Sequence, residues 1–180
     1  SAYLRTSLTN LPGDSFTVET YFQMGDNGGA NQTLFFKSAD AHSATNQLDF
    51  KVAVANGRVQ AVVGTTTATW VSSEILNEGW NHVALVYDEA ITNYTLLVNG
   101  GATSNRLTRA IPSAGALYFG LDASNSNNPG YFSGYLDDIR VWNRALTQAE
   151  ITSNLFVGFL HGAETNTQLA AYYPVEDGVG

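Results

Sequence analysis

The residues able to do chemistry fall into three groups: adjacent carboxylates at Asp137-Asp138, three scattered histidines, and three oxygen-rich stretches at residues 25–31, 38–46 and 122–130. Hydrolysis of a glycosidic bond needs two carboxyl groups flanking it at about 5 to 10 Å. Neighbouring residues on a strand point to opposite faces, so Asp137 and Asp138 do not meet that need. The pattern instead predicts that Asp137 shares a face with Ile139 and Val141 and bonds to backbone or to Arg144, while Asp138 pairs with Arg140. His42, His82 and His161 lack the i, i+4 spacing of a helical metal site, and His82, beside Trp80 in a strand-like run, is expected to pack rather than ligate. With no cysteine there is no thiolate nucleophile, disulfide or cysteine-bound zinc. No Gly-x-Ser-x-Gly elbow or phosphate-binding glycine loop is present. The chain is expected to be non-catalytic.

The oxygen-rich stretches suit two other kinds of chemistry. Calcium takes six to eight oxygens from carboxylates, amides and carbonyls in forgiving geometry. Sugars are held by planar amides and carboxylates together with an aromatic ring against their C–H surface. Asn27, Asn31, Asn125, Asn127 and Tyr131 are the candidates for a saccharide. The competing explanation is that Asn, Asp and Gly stand there for backbone reasons, as Asx turns. Asn31-Gln32-Thr33 and Asn93-Tyr94-Thr95 also match the glycosylation acceptor pattern, which has meaning only in a eukaryotic secretory route.

Strands must position these loops. Period-2 patterning marks strands at residues 16–22, 80–87, 94–98, 118–120 and 135–143. Residues 50–55 and 58–63 flank Asn56-Gly57, which supplies the positive φ angles of a two-residue hairpin turn. Asn99-Gly100 is a further turn. Only Thr147-Gln148-Ala149-Glu150, with capping-box spacing ahead of Ile151 and Leu155, asks to be helical. Strands about every 10 residues with Gly/Asn/Asp punctuation indicate an all-β sandwich or jelly roll.

Composition narrows the partners. The 180 residues carry 16 acidic and 8 basic side chains, a net charge of −8, and only 13% are charged. That sign repels phosphate backbones and argues against nucleic acid. Apolar runs fall well short of the roughly 20 residues needed to span a bilayer, and residues 1–5 do not form a signal-peptide core, so a soluble, excised piece is expected. With 44% hydrophobic and 12% aromatic residues the chain can bury a core.

The run from Phe132 through Gly134-Tyr135-Leu136-Asp137-Asp138-Ile139-Arg140-Val141-Trp142-Asn143-Arg144-Ala145-Leu146 to Ile151 closely resembles the closing signature of laminin-G-like domains of the concanavalin A-like superfamily. Gly79-Trp80-Asn81-His82-Val83 and residues 94–100 resemble the family's central strand pair. The resemblance covers roughly residues 14–160 and extends to pentraxins. Animal laminin-G domains commonly place a cysteine after the motif glycine. Tyr135 stands there instead, which is similar to the cysteine-free subset frequent in bacterial extracellular proteins. Residues 168–178 resemble the family's first strand, found here at the C-terminus. Either the strand order is permuted, which is preferred because it leaves no unpaired edge, or the start of a following module is included.

The resemblance implies a single two-sheet antiparallel jelly roll over residues 1–180 with one short helix, completed by a strand at about 168–176. It also implies a calcium ion at a loop rim, for which Asp122, Asn46, Asp49 and Asn125 are the expected ligands. The function so implied is a non-catalytic, calcium-dependent carbohydrate-binding module of a secreted or cell-surface protein such as a bacterial adhesin, with neighbouring domains, no nucleic-acid partner and no membrane insertion. The alternative is a protein-interaction or spacer module with a structural calcium and no affinity for sugar.

Overall fold

The computed structural model describes residues 3–8, 11, 14–25, 31–38, 48–64, 68–72, 76, 78–107, 115–123, 130–155 and 168–174. Fourteen strands follow one another: β1 (Leu4–Arg5), β2 (Phe16–Met24), β3 (Asn31–Ser38), β4 (Leu48–Ala55), β5 (Arg58–Val63), β6 (Ala68–Val71), β7 (Asn81–Asp88), β8 (Asn93–Val98), β9 (Gly101–Arg106), β10 (Leu117–Phe119), β11 (Leu121–Asp122), β12 (Gly130–Tyr131), β13 (Gly134–Trp142) and β14 (Leu169–Tyr173), with helix α1 (Gln148–Ser153) before the last. Sheet A has the order β1-β10-β3-β4-β5-β6 and sheet B the order β14-β13-β2-β7-β8-β9, with β11 and β12 forming a separate ribbon. The pairings within both sheets are antiparallel, as a jelly-roll sandwich requires.

Side-chain alternation divides each sheet into inner and outer rows. On sheet A, Leu4, Phe119, Phe35, Val52, Ala61 and Trp70 stand opposite one another across six strands and face the core. On sheet B, Ala171, Val141, Val18, Leu85 and Leu96 form the matching inner row. Phe16 of sheet B stacks on Phe50 of sheet A with ring centroids 5.5 Å apart, so aromatic packing bridges the two layers.

The two predicted turns close hairpins. Asn56 and Gly57 have φ of 52° and 73°, and Asn99 and Gly100 have φ of 49° and 88°. The second hairpin leads into β9, whose half-exposed Gly101–Arg106 lacks any apolar alternation that would announce a strand. Asn31, Ser38, Asp122 and Gly130, expected in loops, lie instead at strand ends, where Ala55, Leu48 and each other supply the pairing partners. Pairing at a distance overrides local turn chemistry there.

Helix α1 begins at the predicted capping box: Thr147 Oγ1 accepts from the Glu150 amide at 3.2 Å and Glu150 Oε2 accepts from the Thr147 amide at 2.8 Å. It seats Ile151 on Ala84, Val86, Leu97, Trp142 and Leu146, a second apolar cluster on the outer face of sheet B. The C-terminal strand β14 pairs with β13, placing Tyr173 opposite Ile139 and Ala171 opposite Val141. Among the described residues no helix covers the outer face of sheet A, where Phe36 and Tyr118 are buried with Ala116, Leu121 and Ala123.

Gly134 marks the start of β13 and has φ of 151°. A Cβ there would lie 2.1 Å from the Gln23 carbonyl oxygen and 3.0 Å from the Gly25 amide nitrogen. Gly57 also has positive φ, but a Cβ there meets nothing within 4 Å. Urea denaturation therefore should show Gly57→Ala costing about 1–2 kcal/mol, and Gly134→Ala costing more than about 3 kcal/mol because backbone must move as well. Equal losses would contradict a steric origin of this glycine.

Candidate functional site

The outer face of sheet A is organised by a single row. Arg5, Tyr118, Phe36, Lys51, Val62 and Thr69 stand opposite one another from β1 to β6, the complement of the inner row. Phe36 and Tyr118 pack with ring centroids 6.4 Å apart and join Leu121, Ala116 and Ala123 in an apolar cluster that roots the row. At the β1 end, Tyr3 lies 6.4 Å from both Tyr118 and Tyr131, ring centre to ring centre. Tyr118 is 8% exposed, whereas Tyr3 and Tyr131 are 51% and 41% exposed. Tyr3 thus packs against buried Tyr118 on one side and exposed Tyr131 on the other. The Arg5 Nε donates to the Tyr118 hydroxyl at 3.3 Å.

The two carboxylates expected to hold calcium are both matched with lysines. Asp122, on the β11–β12 ribbon, has Oδ2 3.1 Å from Lys51 Nζ. Asp49 lies 3.6 Å from Lys37 Nζ, and that ammonium is fully buried and also donates to the Gly115 carbonyl. A dication at either carboxylate would have to share it with an ammonium already in place. Asn46 and Asn125 lie outside the described residues. Among the described residues no group of three His, Asp or Glu could hold a metal.

Of the expected saccharide ligands, Tyr131 of the β11–β12 ribbon stands exposed beside Tyr3. Asn31 begins β3, and Asn27, Asn125 and Asn127 lie outside the described residues, as do His42 and His161. Asn93 Nδ2 donates to Thr95 Oγ1 at 3.0 Å within its own acceptor motif. Tyr3, Arg5 and Tyr118 carry no local signature of a site. They become legible only when β1 is paired with β10, a contact between residues more than a hundred apart in sequence.

Sheet B holds a different polar cluster, and it is closed. Glu19, 4% exposed, receives His82 Nε2 at 3.0 Å on one carboxylate oxygen and Trp142 Nε1 at 2.9 Å on the other. Arg140 lies between two carboxylates, with Nη1 3.7 Å from Glu19 and Nη2 3.0 Å from Asp138. The Tyr172 hydroxyl of β14 donates to Asp138. Burial works to raise the Glu19 carboxyl, but the hydrogen bond and charge of His82, with Arg140 and Trp142, hold it below the ordinary range. Burial likewise pushes the Tyr172 hydroxyl up, reinforced by Asp138. A guanidinium separates buried Glu19 from half-buried Asp138, and the cluster joins strands β14, β13, β2 and β7.

A β-bulge lies between Asp137 and Arg140, with Asp138 at φ of 49°. Asp137 consequently opposes Tyr21 on the outer face, not the inner face of Ile139 and Val141, which corrects the alternation expected from the sequence. Its Oδ1 accepts from the Asp138 amide at 2.7 Å. The pairing of Asp138 with Arg140 and the non-ligating place of His82 agree with expectation.

The family model described as the concanavalin A-like lectin/glucanases superfamily matches residues 1–152. The chain belongs to this superfamily. No curated protein matches it. Among solved structures, this superfamily member is similar to a candidate carbohydrate-binding protein from Bacteroides ovatus, with 19% identity, TM-score 0.68 and coverage of 96% of this chain and 48% of that one. It is similar to the CBM40 of a Ruminococcus gnavus sialidase bound to α2,3-sialyllactose, with 17% identity, TM-score 0.68 and coverage of 82% and 84%. It also resembles a heptameric pentraxin from Limulus polyphemus, with 16% identity, TM-score 0.64 and coverage of 88% and 77%. These are likenesses of fold, and the chain spans about half the length of the first.

The Glu19 cluster has a pH signature. A carboxyl lowered from its ordinary value of 4.5 stabilises the fold fully above that pH and loses the contribution as pH falls through the lowered value. Glu19→Gln should cost about 3 kcal/mol at pH 7, because Arg140 is left buried without one counter-charge. Urea melts repeated at lower pH should show the gap to the wild type narrowing below pH 4.5. A gap independent of pH would contradict an ionised Glu19.

Proposed function

We propose that this domain is a non-catalytic carbohydrate-binding module of an extracellular or cell-surface protein, with the outer face of sheet A as its binding surface. One observation carries the reading: exposed Tyr3 packs against both buried Tyr118, which Arg5 bonds, and exposed Tyr131. Rigid tyrosine rings offer apolar area for the C–H face of a pyranose at low entropic cost, and neighbouring N–H and O–H groups can bond its hydroxyls. The carbohydrate-binding descriptions of the B. ovatus and R. gnavus structures support the same class of ligand. Attachment to neighbouring domains and a role in adhesion accord with this reading.

Recognition without chemistry is supported by the burial of Glu19 and by Arg140 standing between it and the half-buried Asp138. Calcium is no part of the proposed contact, since Asp49 and Asp122 are ion-paired as they stand. A glycan array run with calcium and with chelator should give signal under both conditions, and Tyr3→Ala and Tyr131→Ala should each weaken it about tenfold or more. Signal lost in chelator would move the site to the loop rim. Silence on every glycan would leave the protein-interaction or spacer role.

A further inference from the structure

Among the described cations, Arg5 and Arg106 stand exposed without a described carboxylate within 4 Å, and of these two Arg5 is the one held by a side-chain hydrogen bond. Lys37, Lys51, Arg140 and Arg144 each have a carboxylate within 4 Å, and Arg58 donates to the Ser72 carbonyl. Arg5 is exposed, forms no ion pair among the described residues, and has its Nε bound to the Tyr118 hydroxyl. Tyr118 is itself fixed by Phe36 and the apolar cluster behind it. One bond at Nε restrains the guanidinium plane and leaves its Nη1–Nη2 edge to make the parallel pair of hydrogen bonds that matches a carboxylate. An arginine held in this way, two residues along the same strand face from Tyr3, is a recognition group for an anion borne by whatever lies on the tyrosines.

We infer that the ligand is a saccharide bearing a carboxylate, whose ring lies on Tyr3 and Tyr131 and whose carboxylate is gripped end-on by Arg5. This deepens the carbohydrate-binding proposal and rests on it. The chain's overall negative charge does not oppose the contact at close range. The screening length at physiological salt is about 8 Å, and Asp122, on the same ribbon as Tyr131, is paired with Lys51. Tyr118 is a positioning residue, acting on the ligand through Arg5.

The test is isothermal titration of the intact domain with pairs of oligosaccharides that differ only in a carboxylate: sialylated or uronate-terminated glycans, their neutral counterparts, and sulfated glycans as a third arm. The acidic member of a pair should bind at least about tenfold more tightly than the neutral one, as expected for a charge-assisted hydrogen-bonded pair. Arg5→Gln should bring that ratio close to one while neutral binding persists. Arg5→Lys, which keeps the charge but not the fork, should recover only part of it, and Tyr118→Phe should reduce the ratio with the melting temperature nearly unchanged. Neutral glycans binding as well as acidic ones, or sulfated glycans alone binding, would overturn the inference and leave the carbohydrate-binding function standing. No binding to any arm would overturn both.

Discussion

Alternation across hydrogen-bonded strands is the constraint on which the rest depends. Once Leu4 and Phe119 turn inward with Phe35 and Val52, Arg5 and Tyr118 have no choice but to face out together. A slip of one residue in the short β1–β10 pairing would bury Arg5 without a counter-charge and expose Leu4, so core packing fixes the register of the open face. The aromatic platform is therefore as rigid as the core beneath it. That rigidity is what a weak ligand such as a sugar requires, because little ordering cost is then deducted from its few contacts.

The two outer faces have been put to different uses by the same rule. On sheet B the outer row of Tyr172, Arg140, Glu19, Ala84 and Leu97 is charged at one end and apolar at the other. The apolar end is roofed by α1, and the charged end satisfies itself through His82, Trp142 and Asp138. Buried ion pairs add little net stability compared with apolar packing, yet they are costly to break, so they specify which strands lie together. Sheet A buries its outer aromatics Phe36 and Tyr118 with Leu121 and Ala123, and Tyr3 and Tyr131 stand exposed beside them.

Much of the architecture was legible in the sequence because its signals are local. Asn56-Gly57 sets φ by sterics, Thr147 and Glu150 cap one another within four residues, and the apolar alternation of β2, β7 and β13 spans a single strand. The strands that escaped notice depend on partners elsewhere: polar β9 is held by β8, and β3 by β4 and β10. The bulge at Asp138 shifted the parity of Asp137 in the same way, without any local sign. Tyr131 could be singled out as an aromatic beside a turn. Tyr3, Arg5 and Tyr118 could not, since nothing short of the β1–β10 register brings them together. Asp49 and Asp122 stood in oxygen-rich sequence, but the lysines that neutralise them come from pairings that composition does not reveal.

The central claim is that ligand is received on the tyrosine–arginine face of sheet A. Amide and side-chain NMR of the labelled domain, titrated with a carboxylated oligosaccharide, tests it most directly. Shifts concentrated at Tyr3, Arg5, Tyr118 and Tyr131, with the Glu19, His82 and Arg140 signals of sheet B unmoved, are the predicted result. Shifts confined to sheet B or to the loops between 38 and 48, with Arg5 and Tyr131 silent, would contradict it.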